Sequence, residues 1–235
     1  GWDTVLWNRS AAGLERAKSL ISLNQATFIK EGILVEVESN AMLSRIRMTT
    51  DKADYQDAAL VVESIVEKLD AKQAFWEEIS ALVPAEALLA TNTSGLKITE
   101  IAKACKHPER FMGQHWLNPP HLLPLCEIIR GEKTEEAYLQ QMYELVKGLG
   151  KKPVIVKKDV NGFILTRLQY AVLRVALYLV ENDVASFEDI DTVFTAGLGL
   201  RYAAVGPFRV CDFGGLDTFN RVNKYLNTSL CDNKE

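Results

Sequence analysis

Hydrophobic and polar residues follow two different patterns along the chain. Up to about residue 157, short apolar runs are separated by segments in which apolar residues recur at helical spacing. The run at residues 58–62 is continuously apolar, as is typical of a parallel strand that is buried on both faces. Strands that alternate with helices in this way predict a parallel α/β architecture.

The pattern predicts seven strands and several helices in this part of the chain. The predicted strands are residues 3–7, 45–48, 58–62, 88–91, 111–115, 125–129 and 153–156. Ser10 is the predicted N-cap of a helix that extends to about Glu31, and a second helix is predicted over residues 69–82.

From residue 159 onward the pattern predicts helices only. Residues 163–182 form a long segment that is apolar on most faces, and residues 186–189 resemble a capping box that opens the next helix. We therefore predict a first domain at residues 1–158 and a helical second domain at residues 159–235. The apolar surplus of the second domain predicts a subunit interface, most simply that of a homodimer.

Composition and charge exclude several classes of protein. The 235 residues are 48% hydrophobic, with a formal net charge of -4, which provides no basic field for a nucleic acid or an anionic membrane. Cys105, Cys126, Cys211 and Cys231 are widely spaced, which argues against a metal site or a disulfide scaffold and favours the reducing cytoplasm. No apolar run approaches the roughly 18 residues of a membrane helix.

Three side chains with complementary chemistry follow or end the predicted strands. Ser94 lies just after one strand, His115 ends the next, and Glu127 lies inside a third. A Pro-rich turn joins the last two strands, so a carboxylate can hold one ring nitrogen while the other acts as a base. The simpler interpretations are a half-buried structural imidazole and a carboxylate paired with a nearby Lys or Arg.

Five ordered motifs resemble those of the L-3-hydroxyacyl-CoA dehydrogenase family, including its lambda-crystallin-like branch. They are residues 92–96 (NTSGL), 113–119 (GQHWLNP), 126–128 (CEI), 162–168 (GFILTRL) and 206–217 (GPFRVCDFGGLD). The resemblance implies a Rossmann-like doubly wound sheet followed by an all-helical C-terminal domain. It also implies that the opening strand is the second of that sheet, so that the first strand, its Gly-rich turn and a C-terminal tail belong to a longer protein. The second and fourth strands would then lack their shared neighbour, and such a chain should not fold alone.

The resemblance assigns roles to individual residues. His115 becomes the general base, and Glu127 orients its imidazole. Ser94 bonds the substrate oxygen, and Asn118 helps to fix the nicotinamide or the substrate. Glu67 and Lys72 match cofactor contacts, although both could be solvated residues at a helix start. No metal is implied.

Three departures from the family pattern affect specificity. Thr166 replaces an asparagine that is expected to face the substrate. Asn24 and Glu31 stand where a serine and a lysine would face CoA, which weakens the inference of a CoA substrate. Asn8, followed by Arg9, replaces the acidic residue that binds the adenosine ribose, so the expected cofactor is NAD with NADP as an alternative.

The resemblance predicts an oxidoreductase that interconverts 3-hydroxyacyl-CoA and 3-oxoacyl-CoA by hydride transfer to NAD, in fatty acid or butanoate metabolism. One alternative is a dehydrogenase of a free 3-hydroxy acid. Another is a non-catalytic, crystallin-like structural protein on the same fold.

Overall fold

A computed structural model describes residues 2–230, which form two compact units. The first unit extends to Phe163, and the second begins at Ile164. The boundary predicted after residue 158 is a few residues earlier, because Asp159 is tied to the first unit. Its two carboxylate oxygens accept hydrogen bonds from the backbone N–H groups of Ile98 (3.1 Å) and Thr99 (2.7 Å).

The first unit contains all seven predicted strands, arranged in two sheets. In the smaller sheet, β1 (Thr4–Trp7) pairs in parallel with β2 (Ile46–Thr49). The larger sheet has the order β3 (Leu60–Glu63), β4 (Leu88–Thr91), β5 (Phe111–Trp116), β6 (Leu125–Arg130) and β7 (Lys152–Val156). Among residues 2–230, only β5 and β6 are antiparallel neighbours, because residues 117–124 are too few for the crossover that a parallel pair requires.

Helices connect the parallel strands. They are α1 (Ala11–Lys30), α2 (Glu36–Leu43), α3 (Leu69–Leu82), α4 (Ile98–Ala102) and α5 (Glu136–Gly148). Ser10 caps α1 as predicted, because its hydroxyl accepts from the backbone N–H of Gly13 at 3.1 Å. Gly13 has no side chain at a point where a Cβ would come within 2.1 Å of Asn8 Oδ1, so the turn after β1 packs tightly against α1.

Two apolar clusters cover the faces of the larger sheet. One contains Trp76, Leu89 and Phe111, and the other contains Ala90 and Ile128. Leu89 and Ala90 are neighbours on β4 that belong to opposite clusters, as the alternation of side chains along a strand requires. Because side chains pack closely on both of its faces, the larger sheet is a rigid support for the loops at its strand ends.

Within residues 2–230, no strand pairs with both β1 and β3. Both strands instead border one cavity of about 1770 Å³, which we call the inter-sheet cleft. Asn8 and Arg9 also line it.

The second unit is helical, as predicted. It consists of α6 (Leu165–Glu181), α7 (Phe187–Val193), a π-helical turn (Phe194–Gly199), α8 (Leu200–Ala204), α9 (Pro207–Gly214) and α10 (Leu216–Leu226). Ser186 caps α7 by accepting from the N–H of Asp189 at 3.1 Å. None of residues 164–230 is buried, and Phe208 is 85% exposed. Among the described residues, no helix has the length and apolarity needed to span a membrane.

Candidate active site

His115 and Glu127 lie directly opposite each other on β5 and β6. His115 Nδ1 is 2.8 Å from Glu127 Oε2, and both residues are buried. Because an ionised carboxylate only accepts hydrogen bonds, Nδ1 is the donor in this pair, and in the neutral form of the imidazole Nε2 then keeps a lone pair. The predicted pairing of these two side chains is therefore present, and it leaves Nε2 able to accept a proton.

Phe163 packs edge-on against the imidazole. The two ring centroids are 5.6 Å apart, and Phe163 is 1% exposed. Its φ of 49° is unusual for a residue with a Cβ, and Gly162 before it has a φ of 72°. Such backbone strain persists only where the surrounding packing compensates for it. The turn therefore places an aromatic ring beside His115 at a conformational cost.

Ser94 lies on the exposed loop that follows β4, at the same edge of the sheet as the end of β5. Asn92 ties these strand ends together, because its Oδ1 accepts from the N–H of Trp116 at 2.9 Å. Its own N–H donates to the carbonyl of Glu63 at 2.7 Å. Ser94 and His115 are thus carried by the carboxyl ends of neighbouring parallel strands, where α/β proteins form their binding sites.

Glu67 holds the Ser94 loop. Its Oε1 accepts from the N–H groups of Ser94 (3.0 Å) and Gly95 (3.3 Å) and from the hydroxyl of Thr93. Burial alone raises the pKa of Glu67, but the hydrogen bonds from Thr93 and Ser94 and the ammonium of Lys72 together hold that pKa below its usual value. Glu67 is therefore a carboxylate anchor for this loop.

Lys72 is completely buried, whereas a residue that contacts the cofactor would be expected at a surface. Its ammonium lies 2.6 Å from Glu63 Oε1 and 3.4 Å from Glu67 Oε2. Its interactions in the structure are therefore with carboxylates of the protein. Direct contact between Lys72 and the cofactor stays a prediction, and the burial favours an indirect role.

Asn118 lies exposed in the loop between β5 and β6. Lys151 fastens that loop, because its ammonium donates to the carbonyls of Pro120 (2.5 Å) and Leu123 (2.9 Å). The same ammonium lies 5.9 Å from the ring centroid of Trp116. Asn118 is thus near the end of the strand that carries His115, on a loop held by a lysine that the sequence motifs did not single out.

Asn8 and Arg9 follow β1 and line the inter-sheet cleft. Asn8 Oδ1 accepts from the N–H of Ser10 at 3.1 Å, which directs the amide toward the start of α1, and Arg9 is exposed. An amide, a guanidinium and the start of a helix thus stand together at the carboxyl end of β1, a position that can bind the adenosine ribose of a dinucleotide. Contact of Asn8 and Arg9 with that ribose stays a prediction.

The buried cysteines do not supply a nucleophile for the reaction. Burial raises the pKa of the Cys126 thiol to about 12, as does the neighbouring charge of Glu127, and burial raises that of Cys105 to about 12. Neither thiol forms a nucleophilic thiolate near neutral pH.

Among residues 2–230, no cluster of His, Cys, Asp and Glu is arranged to hold a metal ion. Thr166 lies in the first turn of α6, in the second unit, so its predicted substrate contact stays a prediction.

The sequence analysis assigned no role to several supporting residues, among them Glu63, Asp159 and Phe163. Glu63 did carry a signal, since it is an acidic residue at the end of an apolar run that predicts a buried strand. Phe163 lies within the motif at residues 162–168, but its contact with His115, like the contacts of Asp159, depends on tertiary packing.

Comparisons with known proteins match the whole chain. The family model described as the NAD binding domain of 3-hydroxyacyl-CoA dehydrogenase matches residues 1–160, and the model of its C-terminal domain matches residues 162–235. The 3-hydroxybutyryl-CoA dehydrogenase of Bradyrhizobium diazoefficiens is 35% identical over 234 residues, which cover 100% of this chain and 78% of that protein.

Another relative has a name that does not mention a CoA ester. The 5-formyl-3-hydroxy-2-methylpyridine 4-carboxylate 5-dehydrogenase of Mesorhizobium japonicum is 36% identical over 231 residues, covering 98% of this chain and 74% of that protein. A solved structure of an enzyme of that activity, described as an NAD+-dependent dismutase, superposes with a TM-score of 0.89 at 35% identity. It covers 98% of this chain and 74% of the solved chain.

Proposed function

Since the chain belongs to the 3-hydroxyacyl-CoA dehydrogenase family, we propose that it interconverts a 3-hydroxyacyl-CoA and its 3-oxoacyl-CoA with His115 and Glu127 as the base. Membership makes the chain an NAD-dependent oxidoreductase. The observation that carries the more specific proposal is the buried 2.8 Å contact between His115 and Glu127, which leaves Nε2 as a proton acceptor.

In the oxidation direction, His115 Nε2 takes the proton of the substrate hydroxyl while the hydrogen on the same carbon leaves as hydride. The carbon–oxygen bond becomes a carbonyl, and His115 becomes an imidazolium. NAD, when bound, supplies the nicotinamide ring that accepts the hydride. Glu127 stabilises the imidazolium through the Nδ1 hydrogen bond, in the manner of the carboxylate of a hydrolase triad.

The other predicted site residues orient the reactants. Ser94 donates a hydrogen bond to the substrate oxygen, which holds the reacting carbon near His115. Asn118 lies beyond the end of β5, where an amide can fix the nicotinamide or the substrate. Thr166 would contact the substrate with a shorter side chain than the asparagine of the family pattern.

A free hydroxy acid is a second candidate substrate, and two observations favour it. A relative whose name contains no CoA is 36% identical over 98% of this chain. Glu31, at a position expected to face CoA, is exposed at the end of α1, and a carboxylate there would repel the phosphates of CoA.

A nicotinamide absorbance assay on the intact protein separates these candidates. We expect acetoacetyl-CoA to oxidise NADH at a much higher kcat/KM than free acetoacetate. Turnover of the free acid alone would favour the second candidate, and turnover of neither at high enzyme concentration would favour a structural protein. His115→Gln serves as the control for background oxidation.

We also propose that the second unit forms a homodimer. Large apolar side chains on α6 remain exposed within the unit, including Leu168 (59%) and Val172 (44%). An isologous contact between two copies would bury them. A location in the cytoplasm stays a prediction.

A further inference from the structure

Glu63 and Lys72 form an ion pair inside the first unit that the proposed reaction does not use. Lys72 Nζ lies 2.6 Å from Glu63 Oε1, and both side chains are 0% exposed. Removing charges from water costs several kcal/mol per ion, and apolar residues of similar size often give equal or greater stability. Folding alone therefore does not account well for this pair.

The Glu63 carboxylate is fixed from several directions. Its Oε1 also accepts from the N–H of Ile65 at 2.7 Å. Its Oε2 accepts from the hydroxyl of Thr91 at 2.7 Å and from the indole N–H of Trp76 at 3.3 Å. Donors from β4, α3 and the turn after β3 thus determine where the carboxylate lies, and the carboxylate in turn determines where the ammonium of Lys72 lies.

The ammonium has a second partner that leads to the candidate active site. Glu67 Oε2 is 3.4 Å from Lys72 Nζ, while Glu67 Oε1 accepts from the N–H groups of Ser94 and Gly95. The Glu67 side chain is 45% exposed, so without Lys72 its Oε2 would compete for solvent and the carboxylate would be held from one side only. The buried pair is therefore connected to the loop that carries Ser94 through a single partly exposed carboxylate.

We propose that Glu63 and Lys72 are positioning residues that hold Glu67 in place and, through it, fix the backbone of the Ser94 loop for hydride transfer. The inference rests on the proposed function, because it assumes that the placement of Ser94 matters for turnover. In this role neither residue needs to touch the substrate, because the effect reaches the reaction through Glu67.

The test uses the double variant Glu63→Gln/Lys72→Met in the intact protein. Changing both residues avoids leaving one buried charge unpaired, so the fold is expected to survive. Amide hydrogen exchange over residues 92–96 reads the state of the loop without substrate. We expect faster exchange at Ser94 and Gly95 and a kcat lower by about tenfold or more, because small misplacements of reacting groups reduce rates strongly. The KM for NAD is measured as well: a KM that rises while exchange at Ser94 and Gly95 keeps its wild-type rate would assign Lys72 to cofactor contact and overturn the proposal.

The matched control is Lys147→Met/Glu144→Gln. It removes the same two types of charge from an ion pair at the exposed surface of α5. This variant should keep the exchange and kcat of the wild type. Wild-type exchange and kcat in a folded Glu63→Gln/Lys72→Met protein would overturn the proposal.

A third variant covers the case in which the double variant does not fold. Glu67→Gln changes only the partly exposed carboxylate and leaves the buried pair intact. It should also speed exchange at Ser94 and Gly95, and unchanged exchange there would refute the link between Glu67 and the loop. A wild-type protein that turns over no CoA thioester would refute the proposed substrate, while the exchange experiment would still decide the positioning role.

Discussion

The two units of the chain treat their apolar side chains in opposite ways. Every buried residue among residues 2–230 lies at or before Phe163, whereas the helices from Leu165 onward contain none. The first unit packs a buried core on both faces of its larger sheet and pairs the buried charges of Glu63 and Lys72 with each other. The second unit exposes large apolar side chains, which the proposed homodimer would bury. We therefore expect changes in the first unit to alter chemistry or stability, and changes in the second to alter assembly.

The largest expected effect is on chemistry in the first unit. His115→Gln removes the proton acceptor and should lower kcat at least about a hundredfold, the low end for losing a general base. The KM for NAD and the oligomeric state should not change. His107→Gln is the control, because His107 is half-buried and pairs with Glu109 just before the start of β5, whereas His115 lies near its other end. A His115→Gln enzyme within threefold of the wild-type kcat would remove His115 from the mechanism.

Assembly should respond to changes in the second unit. Leu168→Glu places a charge among the exposed apolar side chains of α6 and should convert the expected dimer into a monomer. Sedimentation at micromolar concentration measures the outcome. Gln169→Glu adds the same charge at the adjacent exposed position and should leave the dimer intact. If the wild-type protein is a monomer over that concentration range, the exposed apolar side chains of the second unit do not form a dimer interface.

The difference between the two units also predicts how shortening a side chain to alanine changes the free energy of unfolding. In the first unit the loss should be the same at every protein concentration. Ile128→Ala removes a 0% exposed side chain between β6 and α5 and should lower the free energy of unfolding by about 2–5 kcal/mol. Leu177→Ala removes a 44% exposed side chain on α6, so its cost should grow with protein concentration as dimers form. Chemical denaturation at two concentrations distinguishes these behaviours. If Ile128→Ala and Leu177→Ala lower the free energy of unfolding by the same amount at both concentrations, the side chains of α6 are not buried by dimer formation.

Sequence patterns predicted the strands and the pairing of His115 with Glu127 because both depend on local signals. Apolar runs mark the strands, and a short Pro-rich turn places consecutive strands side by side. The network around Glu63 could not be predicted, since Lys72, Trp76 and Thr91 approach it from 9, 13 and 28 residues away in sequence. The placement of Phe163 was also beyond prediction, because a positive φ at a phenylalanine follows from tertiary packing.

The smallest expected effect concerns the choice of cofactor at the inter-sheet cleft. Asn8→Asp keeps the oxygen that accepts from the N–H of Ser10 and adds a charge near the start of α1, where a carboxylate is favourable by about 0.3–1 kcal/mol. Stability should therefore be retained. The same charge would repel the 2′-phosphate of NADP, so the ratio of kcat/KM for NAD to that for NADP should rise by roughly tenfold.

Asn40→Asp provides the control for this change, because it adds a charge at an exposed position on α2 and should leave the ratio unchanged. Arg9→Gln should act in the same direction as Asn8→Asp by removing a cation that would attract the 2′-phosphate. If Asn8→Asp and Arg9→Gln both leave the ratio at its wild-type value, the turn after β1 does not contact the adenosine ribose. Cofactor choice would then have to be set by residues elsewhere along the cleft.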